Sequence, residues 1–251
     1  MIRLGDEVYL VGSGRTGLCL TDPYDCNVYL VDGGGERALI DAGSGLGTDQ
    51  IVRQVERSGF SVASIKYLFL THAHADHCGG ARSWQLAVEG LEVVASDPVA
   101  QAVRHADEDA MSLHGARAAG VYPEDYTVQP CPVDRVLSDG DSFRVGELTV
   151  DALVTPGHSA GHVAYVARSR SQTSLFTGDL LFAGGTVHLG TWNDTSVTEL
   201  VGSLRRLRSL PVDGLFPGHG RPIARGAREH VEKANRCLDR LELPPRRSQD
   251  C

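Results

Sequence analysis

The sequence lacks any apolar run long enough to cross a membrane. A spanning helix takes about 20 consecutive apolar residues, and every apolar stretch among these 251 residues is interrupted well before that length. The opening segment, MIRLGDEVYLVG, already contains two acidic side chains and has no continuous apolar core, so it does not have the pattern of a secretory signal peptide. We therefore expect a cytoplasmic protein with no membrane contact.

Paired cysteines and an excess of positive charge are also missing. The six cysteines are scattered without a Cys-x-x-Cys pair, which indicates reduced thiols rather than a disulfide framework. The formal net charge of -8 argues against a protein that binds nucleic acid through its phosphates. Hydrophobic residues at 41% and charged residues at 22% are ordinary for a globular enzyme.

Predicted strands and helices alternate along the chain. Strands are predicted near 7–12, 27–32, 37–43, 66–71, 92–96, 148–155, 162–168, 174–179 and 214–219, and helices near 47–59, 80–89, 196–210 and 224–242. This order predicts β-sheet packed by helices. Because no linker divides the sequence, we expect one domain over 1–251 that ends in a short C-terminal helix.

A long element separates the two halves. Residues 97–135 are predicted to form a largely helical insertion, and 121–140 an irregular stretch with three prolines. Insertions beside a site often serve as a lid, a wall or a contact with another subunit. The C-terminal residues PPRRSQDC are expected to fray.

The stretch YLFLTHAHADHCGG crowds three histidines and an aspartate directly after a predicted strand. Alternate residues of an extended segment face the same way, so His72 and His74 can converge, and a following turn can bring Asp76 and His77 to a neighbouring point. Imidazole and carboxylate groups are ligands for zinc, iron and copper. A polar loop at a strand end is the simpler alternative.

Three further polar residues stand in the same kind of place. His158 follows a predicted strand, and Asp179 and His219 each end one. Loops at strand ends present their residues to one rim of a sheet. The whole set therefore predicts two metal positions, which the crowded stretch alone would not.

These motifs resemble those of the metallo-β-lactamase superfamily, whose fold is α/β, an αββα sandwich of two mixed β-sheets flanked by helices. The HxHxDH motif stands here as His72-Ala-His74-Ala-Asp76-His77, the resemblance covers about 1–225, and TGDLLFAGG and TPGHSAGH look most like the glyoxalase II branch. The resemblance implies that one metal is held by His72, His74 and His158, a second by Asp76, His77 and His219, with Asp179 bridging both. It also implies that Asp41, in LIDAG, supports the metal loop.

The function implied by the resemblance is hydrolysis of a small ester-like substrate, namely a thioester, a lactone or a lactam. A metal-bridging hydroxide would attack, with two Zn²⁺ (alternatively Fe or Mn) as cofactors and Asp76 moving the proton. One alternative is a mononuclear iron persulfide dioxygenase that uses His72, His158 and Asp179. A phosphodiesterase or nuclease is a further alternative, but the negative net charge of the chain argues against it.

Other residues near these motifs are candidates for the substrate pocket. His188, Trp192 and Asn193 follow the predicted bridging residue in GGTVHLGTWND, and Tyr24 lies in a loop that often flanks the site in this fold. In the insertion, the residues predicted either to cover the metals or simply to pack its helices are Met111, His114, Tyr122 and Tyr126. Of the remaining histidines, His105 and His230 are expected at or near the surface. His162 is expected in the core or behind the metal ligands.

Overall fold

Two β-sheets lie face to face between two layers of helices in the computed structural model, which describes residues 1–190 and 194–247. The strands are β1 (Ile2–Arg3), β2 (Val8–Gly12), β3 (Val28–Asp32), β4 (Arg37–Ile40), β5 (Ile65–Phe69), β6 (Glu92–Ser96), β7 (Arg135–Leu137), β8 (Ser142–Val145), β9 (Leu148–Val154), β10 (Val163–Arg168), β11 (Thr173–Gly178) and β12 (Gly214–Pro217). The helices are α1 (Thr48–Arg57), α2 (Ala75–Cys78), α3 (Ala81–Ala87), α4 (Asp97–His105), α5 (Leu113–Ala118), α6 (Val197–Leu207) and α7 (Ala227–Asp239), with one 3-10 turn at Val62–Ser64. The αββα class predicted from the sequence is confirmed.

Both sheets are mixed. The first has the order β1-β2-β3-β4-β5-β6-β7, antiparallel as far as β4 and parallel from there to β7. The second has the order β12-β11-β10-β9-β8, in which only β11 and β12 are parallel. In the second sheet β9 and β11 both run against β10, so the carboxyl ends of β9, β11 and β12 share one edge. The carboxyl ends of β4 and β5 share an edge of the first sheet.

Alternation along the strands fills both sides of each sheet. In β3, Tyr29 and Val31 pack between the two sheets, whereas Val28 and Leu30 pack towards the helices. All four side chains are at most 1% exposed. The outer layers are supplied by apolar faces of α1, α3 and α4 against the first sheet, and of α6 and α7 against the second. Burial of one large apolar side chain contributes roughly 1.5–3 kcal/mol to the free energy of folding. Because many such side chains are buried in these layers, the strand ends are held in fixed positions.

The structure departs from the sequence-based expectations at the least regular places. Strands β1, β7 and β8 had not been predicted, and β7 lies inside the stretch expected to be irregular, where it buries only Leu137. Within 97–135 the helical residues are those of α4 and α5, and the remainder forms turns and irregular chain. Among the helices of 1–190 and 194–247, none combines the length and the apolar character that crossing a bilayer requires.

The C-terminal tail is attached rather than frayed. Val187 donates its N–H to the carbonyl of Pro245 at 3.0 Å, and Arg247 donates its N–H to the carbonyl of Val187 at 2.8 Å. The expectation of fraying is therefore wrong for Pro245–Arg247. The tail lies on the loop that follows β11, and it carries the Arg247 side chain towards the site.

Candidate metal centre

Three histidine rings meet where β5 and β9 end. The Nδ1 atom of His74 is 3.1 Å from Nε2 of His72 and 3.1 Å from Nε2 of His158. Ligand atoms held 2.0–2.1 Å from a tetrahedral zinc ion lie about 3.3 Å apart. The spacing of these three nitrogens therefore fits a single bound cation.

A second group forms beside the first. His74 precedes the one-turn helix α2, which turns Asp76 and His77 inward, and β12 delivers His219. His219 Nε2 lies 3.0 Å from Asp76 Oδ2 and 3.3 Å from His77 Nε2. Two imidazoles and one carboxylate thus converge within the distances expected for ligands of a second cation.

Asp179, which follows β11, lies between the two groups. Its Oδ1 is 3.5 Å from His77 Nε2, and its Oδ2 is 3.4 Å from His219 Nε2 and 3.8 Å from His158 Nε2. Oδ1 is buried and accepts no hydrogen bond from the described part of the chain. A buried carboxylate oxygen left without a donor is costly in a folded protein, and a cation would satisfy it. The residues present therefore fit the metal pair that the sequence motifs imply.

Four of the five candidate ligand rings have an oxygen at Nδ1, whereas His74 directs its own Nδ1 towards His72 and His158. The contacts are His72 to Thr71 Oγ1 at 3.0 Å, His77 to Asp41 Oδ2 at 2.8 Å, His219 to Thr16 Oγ1 at 2.7 Å, and His158 to the carbonyl of His188 at 3.3 Å. An imidazole that donates from Nδ1 presents the lone pair of Nε2. Such outer contacts fix both the tautomer and the ring orientation of metal ligands.

Asp41 holds the loop that begins after β5. It accepts the N–H of Thr71 at 2.8 Å and the hydroxyl of Thr71 at 2.9 Å, in addition to the ring of His77. Its backbone has φ 63°, in the left-handed region that aspartate and asparagine tolerate better than most residues. Asp41 thus contacts the ring of His77 and lies outside the two groups described above.

His162 contacts the backbone of Asp179. Its Nδ1 lies 3.0 Å from the hydroxyl of Thr155, and its Nε2 accepts the N–H of Asp179 at 3.3 Å. Burial lowers the pKa of His162 to about 3, so the ring is neutral and able to accept. Gly178, the residue before Asp179, has to be a glycine for a steric reason, because a Cβ there would lie 2.6 Å from His162 Nε2.

Burial and charge act differently on the ligand rings. Burial lowers the pKa of His72 and of His158 well below the usual value, which keeps both rings neutral. Burial acts in the same direction on His219, but the Asp179 and Asp76 carboxylates outweigh it and raise the pKa of His219 to about 10. The carboxylate-rich side of the centre therefore attracts positive charge, which suits a divalent cation.

A cavity of about 620 Å³ opens over the centre. Its walls include four residues that the sequence analysis names as candidates, Tyr24, Met111, Tyr122 and His188. The Tyr122 hydroxyl donates to Asp76 Oδ1 at 3.1 Å. The irregular part of the insertion therefore contacts Asp76, one of the candidate metal ligands.

The remaining predicted residues lie elsewhere. Trp192 and Asn193 are outside the described residues. Tyr126 is buried under the cavity wall, with its hydroxyl on the carbonyl of Ser44 at 2.6 Å. His114 is exposed and lies 2.9 Å from Asp109, and His105 is also exposed, whereas His230 accepts the N–H of Gly184 at 3.0 Å.

Three residues at the site had not been singled out from the sequence. Thr16 orients His219, and Arg15 and Arg247 line the cavity. The loop that contains Thr16 and Arg15 had been expected to flank the site, but nothing in its pattern distinguishes either residue. Arg247 reaches the cavity only because the tail pairs with the loop around Val187.

Comparisons with known proteins agree with this geometry. The family model described as Metallo-beta-lactamase superfamily matches residues 21–219. An atrochrysone carboxyl ACP thioesterase of Aspergillus fumigatus is 30% identical over 199 residues, which cover 78% of this chain and 51% of the relative. A hydroxyacylglutathione hydrolase of Bradyrhizobium sp. is 31% identical over 208 residues, which cover 82% of this chain and 65% of the relative. The chain thus spans about half to two thirds of the length of these relatives.

Solved structures show the same architecture. A mutant metallo-β-lactamase of Cronobacter sakazakii superposes with a TM-score of 0.67 at 26% identity, covering 93% of this chain and 83% of the other. BJP-1, a subclass B3 metallo-β-lactamase of Bradyrhizobium japonicum, superposes with a TM-score of 0.69 at 21% identity, covering 96% and 92%. The second similarity concerns the fold alone.

Proposed function

Because the chain belongs to the metallo-β-lactamase superfamily, we propose that it is a dinuclear metal-dependent hydrolase of small ester-like substrates, thioesters foremost. The observation that carries the proposal is the position of Asp179, whose two oxygens face ligand rings of both groups. Thioesters are preferred over lactones and lactams because two of the relatives are named as a thioesterase and as a hydroxyacylglutathione hydrolase. Zinc is the proposed metal, since imidazole and carboxylate ligands suit it.

When bound, two divalent cations supply Lewis-acid activation of a carbonyl and lower the pKa of water. The side chains of this chain do the remaining work. Asp76 lines the cavity, where its carboxylate can take the proton of the attacking water and pass it to the leaving group. A thiolate leaves more readily than an amine, so the leaving group of a thioester depends less on this proton than the leaving group of a lactam does.

Tyr122 keeps Asp76 in place for this task. Burial and the neighbouring Asp76 charge raise the pKa of Tyr122 well above its usual value, so the phenol retains its proton and remains a donor. The hydrogen bond occupies Asp76 Oδ1 and leaves Oδ2 on the side of His219. The rings of Tyr24 and Tyr122, 5.7 Å apart, form an apolar wall against which an acyl group can exclude water.

Metal analysis together with one ligand variant tests the proposal. Wild-type protein should bind two zinc equivalents and hydrolyse a chromogenic thioester. Asp179→Ala should lose at least one equivalent and reduce turnover by more than about 100-fold, the upper end of the effect of residues that only orient ligands. Asp213→Asn, which alters a carboxylate bound to the N–H of Thr173, is the matched control and should retain both properties.

The same protein distinguishes the other reactions. Full activity in Asp179→Ala would refute the bridging role. One equivalent of iron with oxygen uptake on a persulfide would instead indicate the dioxygenase that uses His72, His158 and Asp179. Faster cleavage of a lactone, a cephalosporin or a phosphodiester than of the thioester would replace the proposed substrate class.

A further inference from the structure

The loop that carries His158 is held by the segment that leads into α6. Thr195 donates its hydroxyl to the carbonyl of His158 at 3.1 Å, and Ser196 donates its N–H to the carbonyl of Gly157 at 2.8 Å. A Cβ on Gly157 would lie 2.3 Å from the backbone nitrogen of Leu200, so the loop lies directly against the helix. His158 comes four residues after β9 ends, and its position therefore depends on these contacts as well as on the strand.

Asp194 is the carboxylate of this segment. A single oxygen, Oδ2, accepts the hydroxyl of Ser159 at 2.6 Å and the N–H of Ala160 at 3.1 Å. Hydrogen bonds to a carboxylate are stronger than those between neutral groups, and here they are made by the two residues directly after His158. Asp194 therefore fixes the chain on the far side of that ligand.

Asp194 also acts on His74, which presents Nδ1 to the centre, unlike the other four rings. Burial lowers the pKa of His74. The carboxylate that opposes this lowering most strongly is Asp194, ahead of Asp76 and Asp179. Asp194 therefore lies close to the ring from outside the two groups of ligands. Because Nδ1 lies among the ligand atoms, a negative charge outside the centre favours the tautomer that keeps its proton on Nε2.

The contacts of Asp194 do not neutralise its charge. Both donors on Oδ2 are neutral, and Oδ1 is buried and accepts no hydrogen bond from residues 1–190 or 194–247. A buried carboxylate oxygen without a donor is costly unless a positive charge lies nearby. The first metal position, formed by the trio of His72, His74 and His158, would supply that charge.

We propose that Asp194 is a positioning residue for the first metal position. Its hydrogen bonds fix the loop that carries His158, and its charge stabilises both the His74 tautomer and the bound cation. The second metal position does not depend on it, because the rings there are held by Thr16 and Asp41. The inference rests on the proposed metal pair and adds a residue that serves one of its two positions.

Two variants separate the hydrogen bonds of Asp194 from its charge. Asp194→Ala removes both and should weaken zinc binding at the first position by about 10–100-fold, the range for outer partners of metal ligands. Asp194→Asn can keep its amide oxygen in the place of Oδ2, and with it the bonds to Ser159 and Ala160. The asparagine variant should therefore lose less zinc affinity than the alanine variant, and excess zinc should restore turnover in both.

The ring of His74 reports on the first position by NMR. It is the one ring of the five that is expected to bind zinc through Nδ1, so its ring-nitrogen signals differ from those of the other four. In protein labelled with ¹⁵N at histidine, a chelator should remove this signature from Asp194→Ala while the rings of His77 and His219 still carry zinc. In the wild-type protein the same signature should persist to a higher chelator concentration.

Asp139→Asn is the matched control. Asp139 joins the same strand and the same helix, since it accepts the N–H of Val154 in β9 at 2.8 Å and the guanidinium of Arg206 in α6 at 3.0 Å. Neither contact involves the loop that carries His158. This variant should therefore lower the free energy of unfolding in urea and leave both zinc affinities unchanged.

The failure of this inference is distinct from failure of the proposed function. An Asp194→Ala variant with both zinc affinities of the wild type overturns the inference while the metal pair stands. Equal weakening of the two positions does the same, because it would indicate a general loss of packing. A wild-type protein that binds fewer than two zinc equivalents, or that does not hydrolyse the thioester, overturns the proposed function.

Discussion

Replacing Asp41 by asparagine tests how His77 is oriented as a proposed metal ligand while His77 itself is left in place. The substitution is isosteric, and asparagine accepts the left-handed backbone at φ 63°, so no strain is added. What changes is the direction of hydrogen bonding. Asp41 accepts three donors, namely the N–H and hydroxyl of Thr71 and the ring of His77. An amide offers only one oxygen, and its NH₂ group must replace one of the two carboxylate oxygens.

Both orientations of the asparagine are costly. With the amide nitrogen in the place of Oδ2, it donates to His77 Nδ1, and the ring must then carry its proton on Nε2, the atom that faces Asp76 and His219. With the nitrogen in the place of Oδ1, it meets the N–H of Thr71 at about the 2.8 Å of the native contact, two donors face to face. The first orientation leaves His77 without the Nε2 lone pair that a metal ligand needs. The second orientation leaves buried donors unsatisfied, at a cost of about 1–3 kcal/mol.

We expect Asp41→Asn to weaken zinc binding at the Asp76, His77 and His219 position by about 10–100-fold, the range for outer partners of metal ligands. The trio of His72, His74 and His158 should be spared. Competition with a chromogenic chelator measures the two affinities separately, and excess zinc should restore most of the activity. Asp134→Asn, which alters a carboxylate that accepts the N–H of Val93, is the control. Equal loss at both positions, or unchanged affinity at both, would refute the tautomer argument.

Two further substitutions test the cavity wall and the packing beneath the ligands. Tyr122→Phe should lower kcat by roughly 10-fold or more with little change in KM, since a hydrogen bond to the Asp76 carboxylate is lost; Tyr126→Phe is the control, and equal kcat values for the two variants would contradict the role of the Tyr122 hydroxyl. Gly178→Ala should cost about 2–4 kcal/mol in urea unfolding, because its φ is 46° and the added Cβ meets His162 at 2.6 Å. Gly202→Ala, in a helix with open space around the glycine, should instead be neutral or stabilising, and similar free energies of unfolding for the two alanine variants would count against the steric account.

The convergence of several candidate ligands could be predicted, because these residues follow strands whose sequence pattern is strong. The segments before His72, His158 and Asp179 alternate or run apolar, and the structure ends β5, β9 and β11 within four residues of them or fewer. Strand ends of common direction meet at one edge, so the convergence of these residues follows from topology. The partners of the ligand rings are less visible in the sequence, since Thr16 and Thr71 are ordinary residues whose role depends on a ring delivered from elsewhere.

The features that the sequence did not predict, β7 and the attached C-terminal tail, depend on contacts between distant segments. β7 is three residues long with two of them exposed, and its pairing with β6 supplies the regularity that its own composition lacks. The tail around Arg247 was expected to fray because its composition is polar and rich in proline, but Val187 offers it two backbone hydrogen bonds. Local propensity describes such segments poorly, because the partner lies far away in the chain.

The loop around Thr16 connects one ring of the candidate metal centre with the wall of the cavity. Its hydroxyl orients His219, its carbonyl fixes Arg247, and the adjacent Arg15 stacks on Tyr24 at the cavity wall. A shift of this loop would therefore move a metal ligand and both arginines together. For that reason, replacing an arginine side chain should change the charge of the cavity wall with less effect on the candidate metal centre than remodelling the loop, whose backbone and Thr16 side chain hold Arg247 and His219.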